Sequence, residues 1–216
     1  MSMYELVKQF PNFIKEGIEI SKNFQVKDAS LDIKNIVITG MGGSGFGGRL
    51  VNDWVYDRLE VPITVIQRYE IPSFVNERTL FISCSYSGNT EEIISATKQA
   101  IENRALVIGV TSGGILKKLC EDNNIETIAL TSGLPPRAAL PISIVQLIGI
   151  LSKYKLLKFD LISQLEIASK KLLDLSQSIE KSAKKVAKAI YNKHIMIYTD
   201  SQMEAVAIRA RQQFNE

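Results

Sequence analysis

The chain has 216 residues, 45% of them hydrophobic, and a formal net charge of +3; that charge is too small and too scattered to argue for nucleic acid or an anionic membrane as a partner. Its two cysteines, Cys84 and Cys120, lie far apart with neither metal spacing nor a disulfide framework, and read as reduced thiols of a cytoplasmic protein. The N-terminus MSMYELVKQF lacks a signal-peptide pattern, and no apolar run reaches the roughly 20 residues of a membrane span.

Residues 4–22 carry apolar side chains at helical spacing (Leu6, Phe10, Phe13, Ile14, Ile18, Ile20), with Pro11 placed to break or kink the helix early. From residue 35 short apolar runs alternate with helical patterns. Strands are predicted at 35–40, 61–66, 79–83, 105–111 and 125–130, and helices at 45–57, 90–103, 114–123 and 141–153. Short strands without polar–apolar alternation, separated by helices, indicate a parallel sheet covered on both faces. The expected fold is α/β: a doubly wound five-stranded parallel sheet over residues 1–153.

The rest reads differently. Residues 160–191 form a long amphipathic helical pattern, with a break allowed, whose lysine-rich side is a solvated face. HIMIYT (194–199) reads as a strand and 202–216 as a helix. One strand and two helices close no core. The sequence stops in a helical pattern, QQFNE, without a glycine or proline stop signal. The expectation is a linker helix and the start of a second, truncated α/β unit over 154–216.

Three stretches carry chemistry. Gly40 to Gly45, GMGGSG, fits G-x-G-x-x-G after a strand and before a helix, the setting of a dinucleotide fingerprint. A nicotinamide site wants an acidic residue after the second strand. Here Gln67 and Arg68 follow Ile66, and Glu70 comes late. The run continues through Gly47 and Gly48, which reads as a longer flexible loop holding Ser44. An anion near a glycine loop is the surviving reading; a tight turn packing helix to strand is the plainer one.

The second stretch, SCSYSGNTEEI (83–93), sets Ser85, Ser87 and Thr90 around Gly88 at the start of a helix. Thr90 as an N-cap and the serines as turn formers would account for one or two hydroxyls. Three or four converging on a helix end beyond a buried strand point to a phosphate, held by hydroxyls and helix amides without a lysine. In the third, SGLPPRAALP (132–141), prolines stiffen a loop and hold Arg137 in place. A fixed guanidinium suits developing negative charge on oxygen; a surface salt bridge is the alternative.

GMGGSG, SYSGNTEE and PPRAALP, in this order, resemble the motifs of a sugar isomerase (SIS) domain, and in particular those of the archaeal-type bifunctional phosphoglucose/phosphomannose isomerases. The pattern S-x-S-G-x-T is shared across sugar-phosphate-binding SIS proteins, whereas PPRAALP is more specific. AIRARQQFNE (207–216) is similar to the family segment that carries the catalytic glutamate. The resemblance implies two SIS subdomains with the active site between them, at the interface of a homodimer. It implies that Gly42, Gly43 and Ser44 lie along the sugar, with Ser44 also near the phosphate. By the same resemblance Ser85, Ser87 and Thr90 hold the phosphate, Arg137 stabilises the enediolate, and Glu216 moves a proton between C1 and C2. A downstream histidine for ring opening and a late lysine are also implied; neither can be assigned here, so a longer enzyme is expected.

The chemistry agrees with these residue types. An aldose and a ketose interconvert when a carboxylate shielded from water shifts a proton next to a carbonyl and a cation stabilises the oxyanion. No cofactor and no metal is implied, and His194 reads as structural. The expected activity is interconversion of glucose 6-phosphate and mannose 6-phosphate with fructose 6-phosphate. The alternative is a non-catalytic SIS sensor of sugar phosphates.

Overall fold

The computed structural model describes residues 2–26, 31–135 and 138–215. Helix α1 (Met3–Lys8) opens with a capping box in which Ser2 and Glu5 satisfy each other's backbone amides. Helix α2 (Phe10–Asn23) follows at once. The break anticipated at Pro11 is there: proline lacks the amide for a helix interior but fits the first turn of a new helix.

Five strands form one parallel sheet: β1 (Asn35–Gly40), β2 (Ile63–Ile66), β3 (Thr79–Cys84), β4 (Leu106–Thr111) and β5 (Glu126–Ala129). Their order is β2-β1-β3-β4-β5, all neighbours parallel. Between them run α3 (Gly42–Val55), α4 (Glu91–Glu102) and α5 (Gly114–Asp122), with α6 (Leu140–Lys153) after β5. The doubly wound five-stranded sheet expected from the sequence is the fold observed.

Alternate strand residues face opposite layers. Ile36, Ile38, Leu80, Ile82, Ile108, Val110 and Ile128 belong to the larger core, beneath α2, α3 and α6. Val37, Phe81 and Val107 pack on Ala96 and Ala100 of α4. On that same side Cys120 of α5 sits over Gly109, where a Cβ would lie 2.8 Å from the Cys120 Sγ. Helix α6 is buried among its neighbours, with Ile142, Val145, Leu147, Ile148, Ile150 and Leu151 inaccessible to solvent. Because α6 is apolar on nearly every side, it forms the middle of this layer.

One expectation fails in α3. The glycine run is not a flexible loop: Gly42 to Val55 is helical, with Gly45, Gly47 and Gly48 inside it. Glycine is a poor helix former in isolation. Here its missing side chain is what lets the helix touch the sheet, since a Cβ on Gly48 would stand 2.9 Å from the Ile38 Cγ2.

Beyond the sheet lie α7 (Leu161–Asp174) and α8 (Ser176–Ile190), parted at Leu175, and then α9 (Glu204–Asn215) after a 3-10 turn at Ser201–Met203. Asp160 caps α7 by accepting from the Ser163 amide at 3.0 Å. No residue of α8 is buried. The strand expected at 194–199 does not form. A strand draws its stability from a ladder with a neighbour, and among the described residues none runs alongside; Ile195 and Ile197 stay 43% exposed. His194 is exposed on the same segment, so it has no role in a core. Helix α9 docks through Ala205 and Ile208 on Phe46, Leu50 and Leu140. Among the described residues no helix is long and apolar enough to cross a membrane.

Cys84 and Cys120 are free and buried. Burial pushes the Cys84 thiol up from 9.0 to about 12. The folded state therefore keeps this proton to higher pH than the unfolded chain, and the associated stability is complete below pH 9.0 and is lost as pH rises toward about 12. Denaturant titrations between about pH 8 and about pH 10 are expected to show falling stability, with a shallower fall in Cys84→Ala.

Candidate functional site

The chain leaves β1 for α3 on one face of the sheet and leaves β3 for α4 on the other, although β1 and β3 are neighbours. This reversal opens a crevice at the carboxyl ends of the two strands, the usual ligand position in such sheets. Ser44 and the 85–90 loop come from the two sides of that crevice. They meet through a hydrogen bond from the Tyr86 amide to the Ser44 Oγ at 3.3 Å.

The 85–90 loop is built around Gly88. Its φ of +71° is left-handed, and a Cβ there would fall 1.8 Å from the Gly113 carbonyl oxygen. The Gly88 amide donates to the Ser85 Oγ at 3.1 Å, and Ser85 and Thr90 share a hydroxyl–hydroxyl bond of 2.9 Å. The Ser87 Oγ accepts from the Asn89 amide at 3.3 Å. Ser85 is buried, Thr90 half-buried and Ser87 exposed, so the hydroxyls step outward from the strand end to solvent.

Thr90 occupies the N-cap position of α4 in extended conformation, yet its side chain makes no capping bond. The plainer reading of this threonine therefore does not hold, because Ser85 has engaged its hydroxyl. An amide–carbonyl bond runs from Ile94 back to Thr90. The amides ahead of Ile94 are the ones a helix cannot satisfy internally. They carry the positive end of the helix dipole and suit an anion. Helix α3 likewise has no side-chain cap, Met41 being its N-cap residue.

The glycine run divides by role. Gly40 and Gly45 are packing residues, since a Cβ on Gly45 would lie 2.0 Å from the Gly40 oxygen. Gly42 is exposed with φ +51° and open space where a Cβ would be, and Gly43 and Ser44 are half-buried beside it. Thus Gly42 to Ser44 line the crevice. Where a nicotinamide site would want an acidic side chain, Gln67 lies against Gly45 and accepts from Arg49 at 3.2 Å.

Sequence reasoning missed the β4–α5 loop. Gly113 and Gly114 support the serine loop from below: the Leu116 amide donates to the Gly88 carbonyl at 2.8 Å, and the Ile115 amide to the Asn89 Oδ1 at 3.1 Å. Asn89 is therefore the cap of α5, a role that crosses between elements. The signal available was the pair of glycines directly after the predicted strand at 105–111. Acidic side chains stand nearby as well: Glu92, together with burial and Glu91, raises the Tyr69 phenol.

Arg137 and Glu216, the two residues given catalytic roles, lie outside the described residues, as does Pro136. Residues 131–135 of the third loop lead away from β5, and α9 ends at Asn215, next to Glu216 in the sequence. A hollow of about 720 Å³ opens between 193–201 and α9, away from the serine loop.

The family described as "Bacterial phospho-glucose isomerase C-terminal SIS domain" matches residues 179–216. The chain is 38% identical over 203 residues to the bifunctional phosphoglucose/phosphomannose isomerase of Caldicellulosiruptor bescii, covering 91% of this chain and 60% of that one. It is 38% identical over 205 residues to the protein of the same name from Thermoplasma volcanium, covering 94% and 62%. It spans about 60% of the length of these curated relatives. The C-terminal domain of glucosamine-fructose-6-phosphate aminotransferase from Francisella tularensis shares its fold, with a TM-score of 0.78 at 18% identity over 99% of this chain and 66% of that one.

The turn at Gly88 has no room for a methyl group. Gly88→Ala is expected to destabilise the protein by about 1–3 kcal/mol in chemical denaturation.

Proposed function

We infer that this chain, a SIS-domain relative of the bifunctional phosphoglucose/phosphomannose isomerases, seats the phosphate of a hexose 6-phosphate on the 85–90 loop, and that the protein interconverts glucose 6-phosphate and mannose 6-phosphate with fructose 6-phosphate. The observation that carries this reading is the uncapped start of α4 beside three hydroxyls, at the carboxyl end of β3. A cradle of hydroxyls and amides holds a dianion without a fixed cation, which suits a small metabolite that must leave again.

With the phosphate there, the sugar extends along Gly42, Gly43 and Ser44. Glu216 acts as the base. It takes the proton from C2 of the open-chain aldose, the electrons move to make the enediolate, the hydroxyl proton passes from O2 to O1, and the same carboxyl returns its proton to C1 to give the ketose. Arg137 stabilises the negative oxygen of that intermediate. Identity to isomerases across more than nine-tenths of the chain supports the reaction class. We further propose that residues 1–153 are one SIS subdomain and that 154–216 lead into a second; the match of 179–216 to a C-terminal SIS domain favours this division. A homodimer acting in the cytoplasm, with a hexose 6-phosphate as its small-molecule partner, completes the proposal.

Three measurements test it. Purified protein is assayed in both directions, and failure to interconvert any hexose 6-phosphate would sink the isomerase reading. Glu216→Gln is expected to lower kcat by roughly 10²–10⁴-fold while phosphate still binds. Ser87→Ala combined with Thr90→Ala is expected to weaken sugar-phosphate affinity by about 1.5–3 kcal/mol for each charge-assisted bond removed. Unchanged affinity in titration calorimetry would refute the cradle.

A further inference from the structure

We propose that Tyr86 is a positioning residue that ties the serine loop to the β5–α6 loop, so that an anion seated on 85–90 also orders the segment leading to Arg137. The proposal rests on the reading of 85–90 as a sugar-phosphate site. Tyr86 stands between two cradle residues, and its polar groups reach three other loops. The amide donates to the Ser44 Oγ at 3.3 Å, after β1. Its carbonyl accepts from the Ser112 amide at 3.0 Å and the Ser112 hydroxyl at 2.6 Å, after β4. The phenol donates to the Thr131 carbonyl at 2.6 Å and accepts from the Leu134 amide at 2.9 Å, after β5.

The last pair matters most. Residues 131–134 form a turn whose tip, Gly133, has φ +89° and open space around it. Pro135 and Pro136 have no amide hydrogen. The Leu134 amide is thus the last backbone donor before residue 137, and the phenol takes it. One hydroxyl holds both the first carbonyl and the last amide of the turn, a two-point clamp that a single bond would not equal. The ring itself packs against the main core, so the hydroxyl sits on a fixed arm. Removal of the hydroxyl leaves Ser85, Ser87, Thr90 and the α4 amides untouched. It therefore separates seating of the phosphate from ordering of the loop three residues before Arg137.

The test is Tyr86→Phe in the full chain, read by kinetics and by hydrogen–deuterium exchange. If the clamp positions the loop, kcat falls by roughly 10–100-fold, as a misplaced group commonly causes, while KM and phosphate affinity stay within about twofold. In wild-type protein, saturating inorganic phosphate slows exchange in peptides covering both 85–92 and 131–138; in Tyr86→Phe it slows only the first. An unchanged kcat, or parallel loss of kcat, affinity and melting temperature, overturns the proposal. Equal protection of 131–138 in both proteins overturns it as well. Should the variant fail to fold, the wild-type exchange experiment decides alone, because no phosphate-dependent protection of 131–138 means no coupling. Absence of isomerase activity in wild-type protein would count against the proposed reaction, whereas the exchange result bears on the coupling only.

Discussion

The left-handed turn at Gly88 is the constraint on which the site depends. It presses the serine loop against Gly113, and the Gly88 carbonyl takes the amide of Leu116. The loop is therefore held from beneath by its neighbour after β4. Within the loop the Ser87 Oγ accepts from the Asn89 amide, and the Thr90 side chain does not cap the start of α4. In an ordinary N-cap the threonine hydroxyl would satisfy a helix amide and remove it from use. Here that hydroxyl is bound to Ser85, and the helix start is left for an outside acceptor.

A second constraint brings the other wall of the crevice into place. Gly45 and Gly48 let α3 approach β1 more closely than any side chain would permit. That approach sets Ser44 within hydrogen-bond distance of the Tyr86 amide. Two helices on opposite faces of the sheet thus start at one point with neither capped by a side chain. Each start carries about half a positive charge. Such partial charges favour an anion only moderately, the behaviour that the proposed exchange of a metabolite would require.

The C-terminal quarter follows a different logic. Helix α9 is anchored on α3 and α6 by a small apolar contact, whereas α8 buries nothing and 194–199 leaves Ile195 and Ile197 half in solvent. The chain covers about 60% of the length of its curated relatives. Similarity to a C-terminal SIS domain falls on 179–216, the stretch with the least burial.

The sequence by itself determined the sheet and its helices, because buried parallel strands must be continuous apolar runs and their crossovers must be amphipathic; β1 falls on the residues expected and the others within two or three. It also placed Ser85, Ser87 and Thr90, and Gly42 to Ser44, just beyond the ends of strands, where the two segments are found beside each other. Tertiary structure alone decided which glycines open the crevice and which pack it, for Gly40 and Gly45 are crowded by backbone whereas Gly42 has a left-handed φ and open space. It alone showed Thr90 turned from capping to a neighbouring hydroxyl, and the strand at 194–199 unformed for want of a ladder partner. In each case the deciding atom belongs to a residue distant in the chain or turned by its neighbours, and no local pattern encodes it.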